Sequence, residues 1–311
     1  IAKRLAEMTS LKVRLESNYL NGCDFLDEDI LLLENVRINS GEKANDERLS
    51  RKLAALSDIF VMDAFATSHR AHASTQGVAK YSPVACAGPL LLKELRALDK
   101  VFSSPQRPVL AIVGGSKVST KLQILTCLSR KVDLIIVGGG IANTFLAASG
   151  KDIGNSLYEP GMIDVAREIM DCGRIVLPTD AVVSSEIDEA EDWSVKKVEN
   201  VSSSDHILDI GPLSISKNRK LISDAKTIIW NGPLRVFEIP QFSAGTRELG
   251  KSIKESKAFS VAGGGDTISA IESLGVQDGI SYISTGGGAF LEFLEGKMLP
   301  GVTALIANKA P

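Results

Sequence analysis

The sequence predicts an α/β fold in which helices cover both faces of parallel sheets. Over the last two thirds of the chain, short and largely apolar strands alternate with helices, and a turn follows each strand. Apolar strands of this kind are typical of parallel sheets that are buried on both faces. The predicted strands are VLAIV (109–113), DLIIV (133–137), RIVLP (174–178), TIIW (227–230), AFSVA (258–262) and YIS (282–284).

The length of 311 residues allows about two domains. The polar stretch SSPQRP at 103–108 is the predicted boundary or linker between them. Before this stretch, the hydrophobic pattern predicts helices at 1–9, 48–57 and 90–102 and strands at 12–16, 30–37 and 59–62.

Composition restricts the class of protein. A net charge of -3 gives no basic field for nucleic acid, and no apolar run approaches the roughly 20 residues of a membrane span. The four cysteines form no CxxC pair and no metal-binding spacing with the three histidines, which predicts reduced thiols and a cytoplasmic location. The chain opens at Ile1 rather than at a methionine, and its first residues contain no signal-peptide pattern.

The stretch 109–121 combines a buried strand, a glycine turn and two lysines. We expect Ser116 to cap a helix that carries Lys117 and Lys121 on one face, where each lysine would oppose the positive end of the helix dipole. An anion would remove that unfavourable interaction, so the stretch predicts a phosphate site. The alternative is a pair of solvated surface lysines.

The turns that follow the predicted strands are expected to lie at one edge of the sheet, because ligands of parallel sheets bind beyond the carboxyl ends of the strands. These turns are GGSK, GGGIAN, TDAVVS, NGPLR, GGGDT and TGGGA. No Walker A string occurs, and none of the three Gly-Gly-Gly turns continues as GxGxxG. Both a P-loop protein and a dehydrogenase are therefore disfavoured.

Three other turns could contribute ligands. Asp266 follows Gly263-Gly264-Gly265 and could bind Mg²⁺ at a nucleotide phosphate, although Asp266 and Thr267 could instead cap a helix. The glycines of 285–289 would allow a ligand to approach the backbone, or would only form a tight turn. Asn231 and Glu238 could contact phosphate and ribose, or belong to a solvated Asn-Gly-Pro turn.

Arginines near two of the strands are candidates for an anionic substrate. Arg70 lies in SHRAH, just after the strand at 59–62, and Arg107 lies in SPQRP. The guanidinium group suits carboxylate or phosphate, but a single surface arginine is usually solvated. His69 and His72 have no partner carboxylate that spacing identifies, and they receive no catalytic role.

Taken together, these strings resemble the phosphoglycerate kinase family, in its bacterial type. The matching strings are LLLENVR (31–37), GEKANDE (41–47), DAFATSHRAHAST (63–75), RPVLAIVGGSKVSTK (107–121), VGGGIANTFL (137–146), ILDIGP (207–212), WNGPLRVFE (230–238), GGGDT (263–267) and YISTGGGAFLEFLEGK (282–297). The resemblance implies two doubly wound parallel-sheet domains that face across a cleft. The phosphoglycerate domain would comprise 1–106, the nucleotide domain 107–296, and a terminal segment, 297–311, would return to the first domain.

The resemblance also implies roles for individual residues. Lys117 would stabilise the transferring phosphoryl group, Lys121 would contact the nucleotide phosphates, and Arg70 and Arg107 would hold 3-phosphoglycerate. The expected substrates are 3-phosphoglycerate and ATP or ADP, and the expected cofactor is Mg²⁺. The protein is expected to be a monomer. The remaining implied ligands of the nucleotide are Gly139, Gly140, Asn231, Glu238, Gly264, Gly265, Asp266 and Thr267, with Asp266 also at the metal.

The sequence departs from the family pattern at Arg235 and Ala66, where glycine is usual. The family's Asp-x-Asn-x-Pro and His-Leu-Gly-Arg-Pro strings would precede Ile1, so we expect the phosphoglycerate domain to be incomplete in this chain. A nucleotide-binding protein of the same fold that does not catalyse is therefore the alternative function.

Overall fold

The computed structural model describes residues 1–186, 192–234 and 239–308. These residues form 12 α-helices and 13 β-strands. The helices are α1 (Ala2–Thr9), α2 (Glu47–Ala54), α3 (Val78–Tyr81), α4 (Pro89–Phe102), α5 (Leu122–Lys131), α6 (Gly139–Ala148), α7 (Ile163–Met170), α8 (Pro212–Asp224), α9 (Ala244–Glu255), α10 (Gly265–Leu274), α11 (Gly287–Leu294) and α12 (Pro300–Ala307). The strands are β1 (Val13–Glu16), β2 (Ile30–Leu33), β3 (Ile59–Met62), β4 (Val84–Ala87), β5 (Val109–Val113), β6 (Leu134–Val137), β7 (Ile175–Val176), β8 (Asp180–Ser184), β9 (Trp193–Lys197), β10 (His206–Ile210), β11 (Thr227–Asn231), β12 (Phe259–Ala262) and β13 (Tyr282–Ile283).

The chain divides into two compact units. The first unit comprises Ile1–Glu94 and the described residues from Met298 onward, and the second comprises Leu95–Lys297. The border lies inside α4, before both the polar stretch at 103–108 and the boundary at 106 that the resemblance implies. Within the described residues, no helix has the length and apolar character needed to cross a membrane.

The first unit contains two short parallel pairs of strands, β1 with β2 and β3 with β4. Its core joins the loop residue Tyr19 to α2 through Leu49 and Leu53, and reaches Val78 at the start of α3. The N–H of Gly301 in α12 donates to the carbonyl of Ser68, so the carboxyl-terminal helix packs within this unit.

A six-stranded sheet in the order β13-β12-β11-β5-β6-β7 organises the second unit. Every neighbouring pair is parallel. These are the six strands that the apolar runs predict, and the doubly wound α/β class is confirmed. The chain proceeds from β5 in one direction along the sheet and later returns to its other side at β11, so the topological switch point lies between β5 and β11.

A smaller antiparallel sheet, in the order β10-β8-β9, was not predicted. The prediction that TDAVVS forms a turn is wrong, because its residues Asp180–Ser184 form the buried middle strand β8 of this sheet.

The helix expected from Ser116 begins later, at Leu122, with Lys121 in the N-cap position. Gly115 has φ +148°, outside the helical region, and the chain then forms a turn in which the Lys121 N–H donates to the Val118 carbonyl. The hydroxyl of Thr120 donates to the Lys117 carbonyl in the same turn. Lys117 and Lys121 therefore do not share a helical face, and Lys117 lies on the turn itself.

Candidate active site

The carboxyl rim consists of the loops after β5, β6, β11, β12 and β13, which meet at one edge because their strands are parallel. At the switch point, the Gly114 N–H donates to the Asn231 carbonyl over 3.0 Å. A Cβ atom on Gly114 would lie 1.7 Å from the Pro233 carbonyl oxygen, so the loops after β5 and β11 are in backbone contact there. Only glycine permits this approach.

Three helices begin at the rim with a glycine N-cap. Gly138, Gly264 and Gly286 precede α6, α10 and α11, and a glycine has no side chain with which to cap its own helix. The first N–H groups of a helix have no acceptor within it. In α6, the Ile141 N–H donates to the Gly115 carbonyl over 3.2 Å, so this helix start is partly satisfied by the β5 loop. The first N–H groups of α10 and α11 are the ones placed to donate to an anion.

Two other helices of the same unit differ in this respect. The carboxylate of Asp180 accepts hydrogen bonds from the Leu213 and Ser214 N–H groups at the start of α8. Asp209 accepts from the Gly245 N–H at the start of α9. The carboxylates at α8 and α9 occupy the position that a bound anion would take, whereas none of the described carboxylates accepts from the first N–H groups of α10 and α11.

Lys121 is held at the rim by Asn231. The ammonium group of Lys121 donates to Asn231 Oδ1 over 2.5 Å, and Asn231 Nδ2 donates to the Gly263 carbonyl over 2.7 Å. Burial lowers the pKa of Lys121, and the carboxylates of Asp266 and Glu295 offset part of this effect. Asn231 is only 1% exposed and uses both ends of its amide within the protein, so its geometry is that of a group that positions Lys121.

Thr267 is likewise engaged within the protein. Its buried hydroxyl accepts from the Gly232 N–H over 2.7 Å and donates to the Gly263 carbonyl over 2.9 Å. The side chain therefore joins the loops after β11 and β12. A phosphate contact through the Thr267 backbone N–H, in the first turn of α10, stays a prediction.

The glycines of the rim serve two different needs. Gly139 and Gly140 bring α6 against the β5 loop, since added Cβ atoms would lie 2.6 Å from the Gly115 carbonyl oxygen and 2.2 Å from that of Ser116. By contrast, a Cβ atom on Gly265 would meet nothing within 4 Å. Gly265 therefore faces open space beside the start of α10, where a ligand has room.

Asp266 lies exposed in the first turn of α10, close enough to Lys121 to act on its charge. Within the described residues, no group of three or more His, Cys, Asp or Glu side chains could hold a metal ion. Mg²⁺ prefers one or two carboxylates together with phosphate oxygens. A single carboxylate beside uncapped N–H groups fits a magnesium ion that arrives with a nucleotide.

Arg70 lies exposed on a loop that Glu42 anchors in the first unit. The buried carboxylate of Glu42 accepts from both the N–H and the hydroxyl of Ser74, and His72 Nδ1 lies 3.7 Å from it. The hydroxyl of Thr75 donates to the Arg70 carbonyl over 2.7 Å. Glu42 is thus the partner carboxylate of His72 that spacing did not reveal.

Arg107 does not lie with the other predicted site residues of its unit. It precedes β5 and therefore lies at the amino edge of the sheet, where its guanidinium group pairs with Asp133 over 2.5 Å and donates to the Lys131 carbonyl over 3.0 Å. These contacts within the protein account for the position of the Arg107 side chain. Glu238 and Arg235 lie outside the described residues.

The rim has one further contributor that sequence reasoning missed. Glu159 lies 40 residues from Ser119 in the chain. Its carboxylate accepts hydrogen bonds from both the N–H and the hydroxyl of Ser119. Because Ser119 and Glu159 are far apart in the chain, no local sequence pattern indicates this contact.

Uncapped helix N-termini, two lysines and a single carboxylate at a switch point define the class of α/β phosphotransferases that use nucleotides. The family model for phosphoglycerate kinase matches residues 1–297, and the chain belongs to the phosphoglycerate kinase family. It is accordingly a kinase of glycolysis, a transferase that moves a phosphoryl group between 1,3-bisphosphoglycerate and ADP.

Two solved structures are similar over nearly the whole chain. The phosphoglycerate kinase from Coxiella burnetii is 47% identical with a TM-score of 0.96, and the match covers 98% of this chain and 80% of that one. The phosphoglycerate kinase from Pyrococcus horikoshii OT3 is 32% identical with a TM-score of 0.81, and the match covers 98% of this chain and 81% of that one.

Proposed function

We propose that the carboxyl rim binds MgADP or MgATP and there performs the family reaction. In one direction, a β-phosphate oxygen of ADP bonds to the phosphorus of the acyl phosphate, and the bond from that phosphorus to the carboxyl oxygen breaks. The products are ATP and 3-phosphoglycerate. The observation that carries this proposal is that α10 and α11 begin after glycine N-caps beside the Lys121–Asn231 pair.

The protein's task in such a transfer is positioning and charge neutralisation, so no side chain acts as nucleophile. Lys121 is fixed by Asn231 and would contact the phosphates of the nucleotide. Lys117 is exposed on its turn and would neutralise the charge that develops on the phosphoryl group in flight. The N–H groups at Gly265 and Asp266 would donate to phosphate oxygens.

Asp266 would hold the magnesium ion of the nucleotide. When bound, Mg²⁺ supplies charge that offsets the negative charge on the phosphate oxygens. The Lys121 ammonium would add a second positive charge beside the phosphates. The interaction of Asp266 with the charge of Lys121 in the protein alone supports their proximity.

For the second substrate, we assign 3-phosphoglycerate to the first unit, with Arg70 as a ligand. The role of Arg107 in this site stays a prediction that its ion pair with Asp133 does not support. We also propose a monomer in the cytoplasm that needs neither nucleic acid nor a membrane, which agrees with the net charge of -3. The ribose contact of Glu238 belongs to the same proposal.

Calorimetric titration with MgADP tests the proposed function directly. Wild-type protein should release heat on binding, and omitting Mg²⁺ should weaken binding only partly, because the backbone donors remain. Lys121→Met should weaken binding about tenfold through loss of the fixed charge. Lys257→Met is the matched control, since Lys257 is exposed just before β12 at the opposite edge of the sheet. A folded protein that binds no nucleotide would overturn the proposal.

A further inference from the structure

The turn that carries Lys117 is supported from outside its own sequence neighbourhood. Ser119 donates to Glu159 through its N–H over 2.8 Å and through its hydroxyl over 2.6 Å. Both oxygens of the Glu159 carboxylate thus accept hydrogen bonds from Ser119, which lies two positions after Lys117. A bidentate contact of this kind fixes direction as well as distance.

Glu159 is itself firmly anchored. Its N–H donates to Thr144 Oγ1 over 3.1 Å, and that hydroxyl donates to the Gly140 carbonyl over 2.8 Å. The buried side chain of Asn143 donates to the Leu157 carbonyl over 2.9 Å. The segment before α7 is therefore tied to α6, the helix that also packs against the β5 loop.

We infer that Glu159 is a positioning residue for phosphoryl transfer, acting through the turn of residues 117–121 to hold Lys117 in place. The inference rests on the proposed role of Lys117. Glu159 need not touch a substrate, since its carboxylate is engaged by the backbone and hydroxyl of the turn. Without the hydrogen bonds from Ser119 to Glu159, the loop between Gly115 and the start of α5 would lose its connection to the segment before α7.

The charge of Glu159 agrees with this assignment. Burial acts to raise the pKa of the Glu159 carboxyl, but the hydrogen bonds from Ser119 and Val118 and the charge of Lys117 outweigh it, and the pKa is lowered. The group therefore stays ionised throughout the neutral range and accepts both hydrogen bonds from Ser119.

Amide hydrogen exchange tests the positioning without reference to activity. In Glu159→Ala, exchange at the Ser119 amide should rise about tenfold, since this N–H loses its acceptor. Glu159→Gln keeps an acceptor for the N–H and a donor for the hydroxyl oxygen, so exchange should stay near the wild-type rate. The matched control is Glu168→Ala, which removes an exposed carboxylate from α7. Unchanged exchange in Glu159→Ala would overturn the inference.

Kinetics then tests whether the positioning matters for transfer. Glu159→Ala should lower kcat about tenfold while the KM for MgATP changes less than about twofold, because the effect falls on the transition state. Glu159→Gln should retain most of the rate. In a Lys117→Ala background, Glu159→Ala should cost nothing further, as expected of residues that act as a unit.

Three results would contradict the inference: additive losses in the double variant, a loss in Glu159→Gln as large as in Glu159→Ala, or an equal loss in Glu168→Ala. The failure of the proposed function looks different. In that case the wild-type protein shows no transfer and no nucleotide binding, while hydrogen exchange at Ser119 still decides whether Glu159 holds the turn.

Discussion

Replacing Gly265 by alanine tests whether this glycine is needed for folding or for binding a ligand. Gly265 is the first residue of α10 and has an ordinary negative φ, and an added methyl group would meet no protein atom within 4 Å. Alanine reduces the conformational freedom of the unfolded chain, so Gly265→Ala should raise the free energy of unfolding by about 0.4–1 kcal/mol. For a chain of this size, that is a rise in Tm of about 1–3 °C.

Nucleotide binding should move in the opposite direction. The proposed phosphate approaches the Gly265 N–H within hydrogen-bond distance, roughly 2.7–3.2 Å from nitrogen to oxygen, and a methyl group on the same residue intrudes on that approach. We expect the affinity for MgADP to fall at least about tenfold, which is about 1.4 kcal/mol.

Calorimetric titration and thermal unfolding of the same sample measure both effects. Gly161→Ala is the matched control, because Gly161 also has open space around it but lies in a short helical turn before α7 and not at the start of α10. That variant should bind MgADP as the wild type does. If Gly265→Ala leaves the affinity unchanged while remaining folded, the start of α10 does not bind phosphate and the rim is wrongly assigned.

Three further predictions concern charged groups. Lys117→Ala should lower kcat about 10²–10³-fold in a steady-state assay, whereas an effect confined to KM would refute its role. The folded-state pKa of Lys121 lies below the unfolded value, so native stability rises with pH through that interval; Lys121→Met should lose this rise in denaturant titrations at pH 8 and pH 10. Glu42→Ala should lower the free energy of unfolding by about 1–3 kcal/mol, because it leaves the Ser74 N–H without its acceptor, and an unchanged Tm would contradict this.

The central sheet could be predicted because its strands are buried on both faces and therefore almost entirely apolar. β9 could not, since most of its residues are exposed and its pattern resembles a loop. β8 was misread for the opposite reason, because its buried residues were assigned to the turn after the preceding strand. In both cases the missing information is which element lies beside the strand.

The candidate site shows the same division. Glycine turns after apolar strands could be placed at one edge from the direction of the strands alone. Arg107 precedes β5, so the same reasoning places it at the opposite edge of the sheet. The family resemblance of its motif implied a substrate contact instead. The start of α5 depends on the φ of Gly115 and on a turn that Glu159 supports from 40 residues away, which no local pattern encodes.

The glycine caps of α6, α10 and α11 have a consequence for how this protein can change over evolutionary time. Donors that belong to the backbone survive the replacement of any side chain, so sequence drift cannot easily remove them. Drift cannot easily block them either: Gly264 has φ +102°, and a Cβ atom there would lie 2.8 Å from Asn231 Nδ2, so a capping serine or aspartate would be strained. If the rim binds the nucleotide as proposed, the unsatisfied helix ends that weaken the free protein are the ones that selection cannot repair without loss of the ligand.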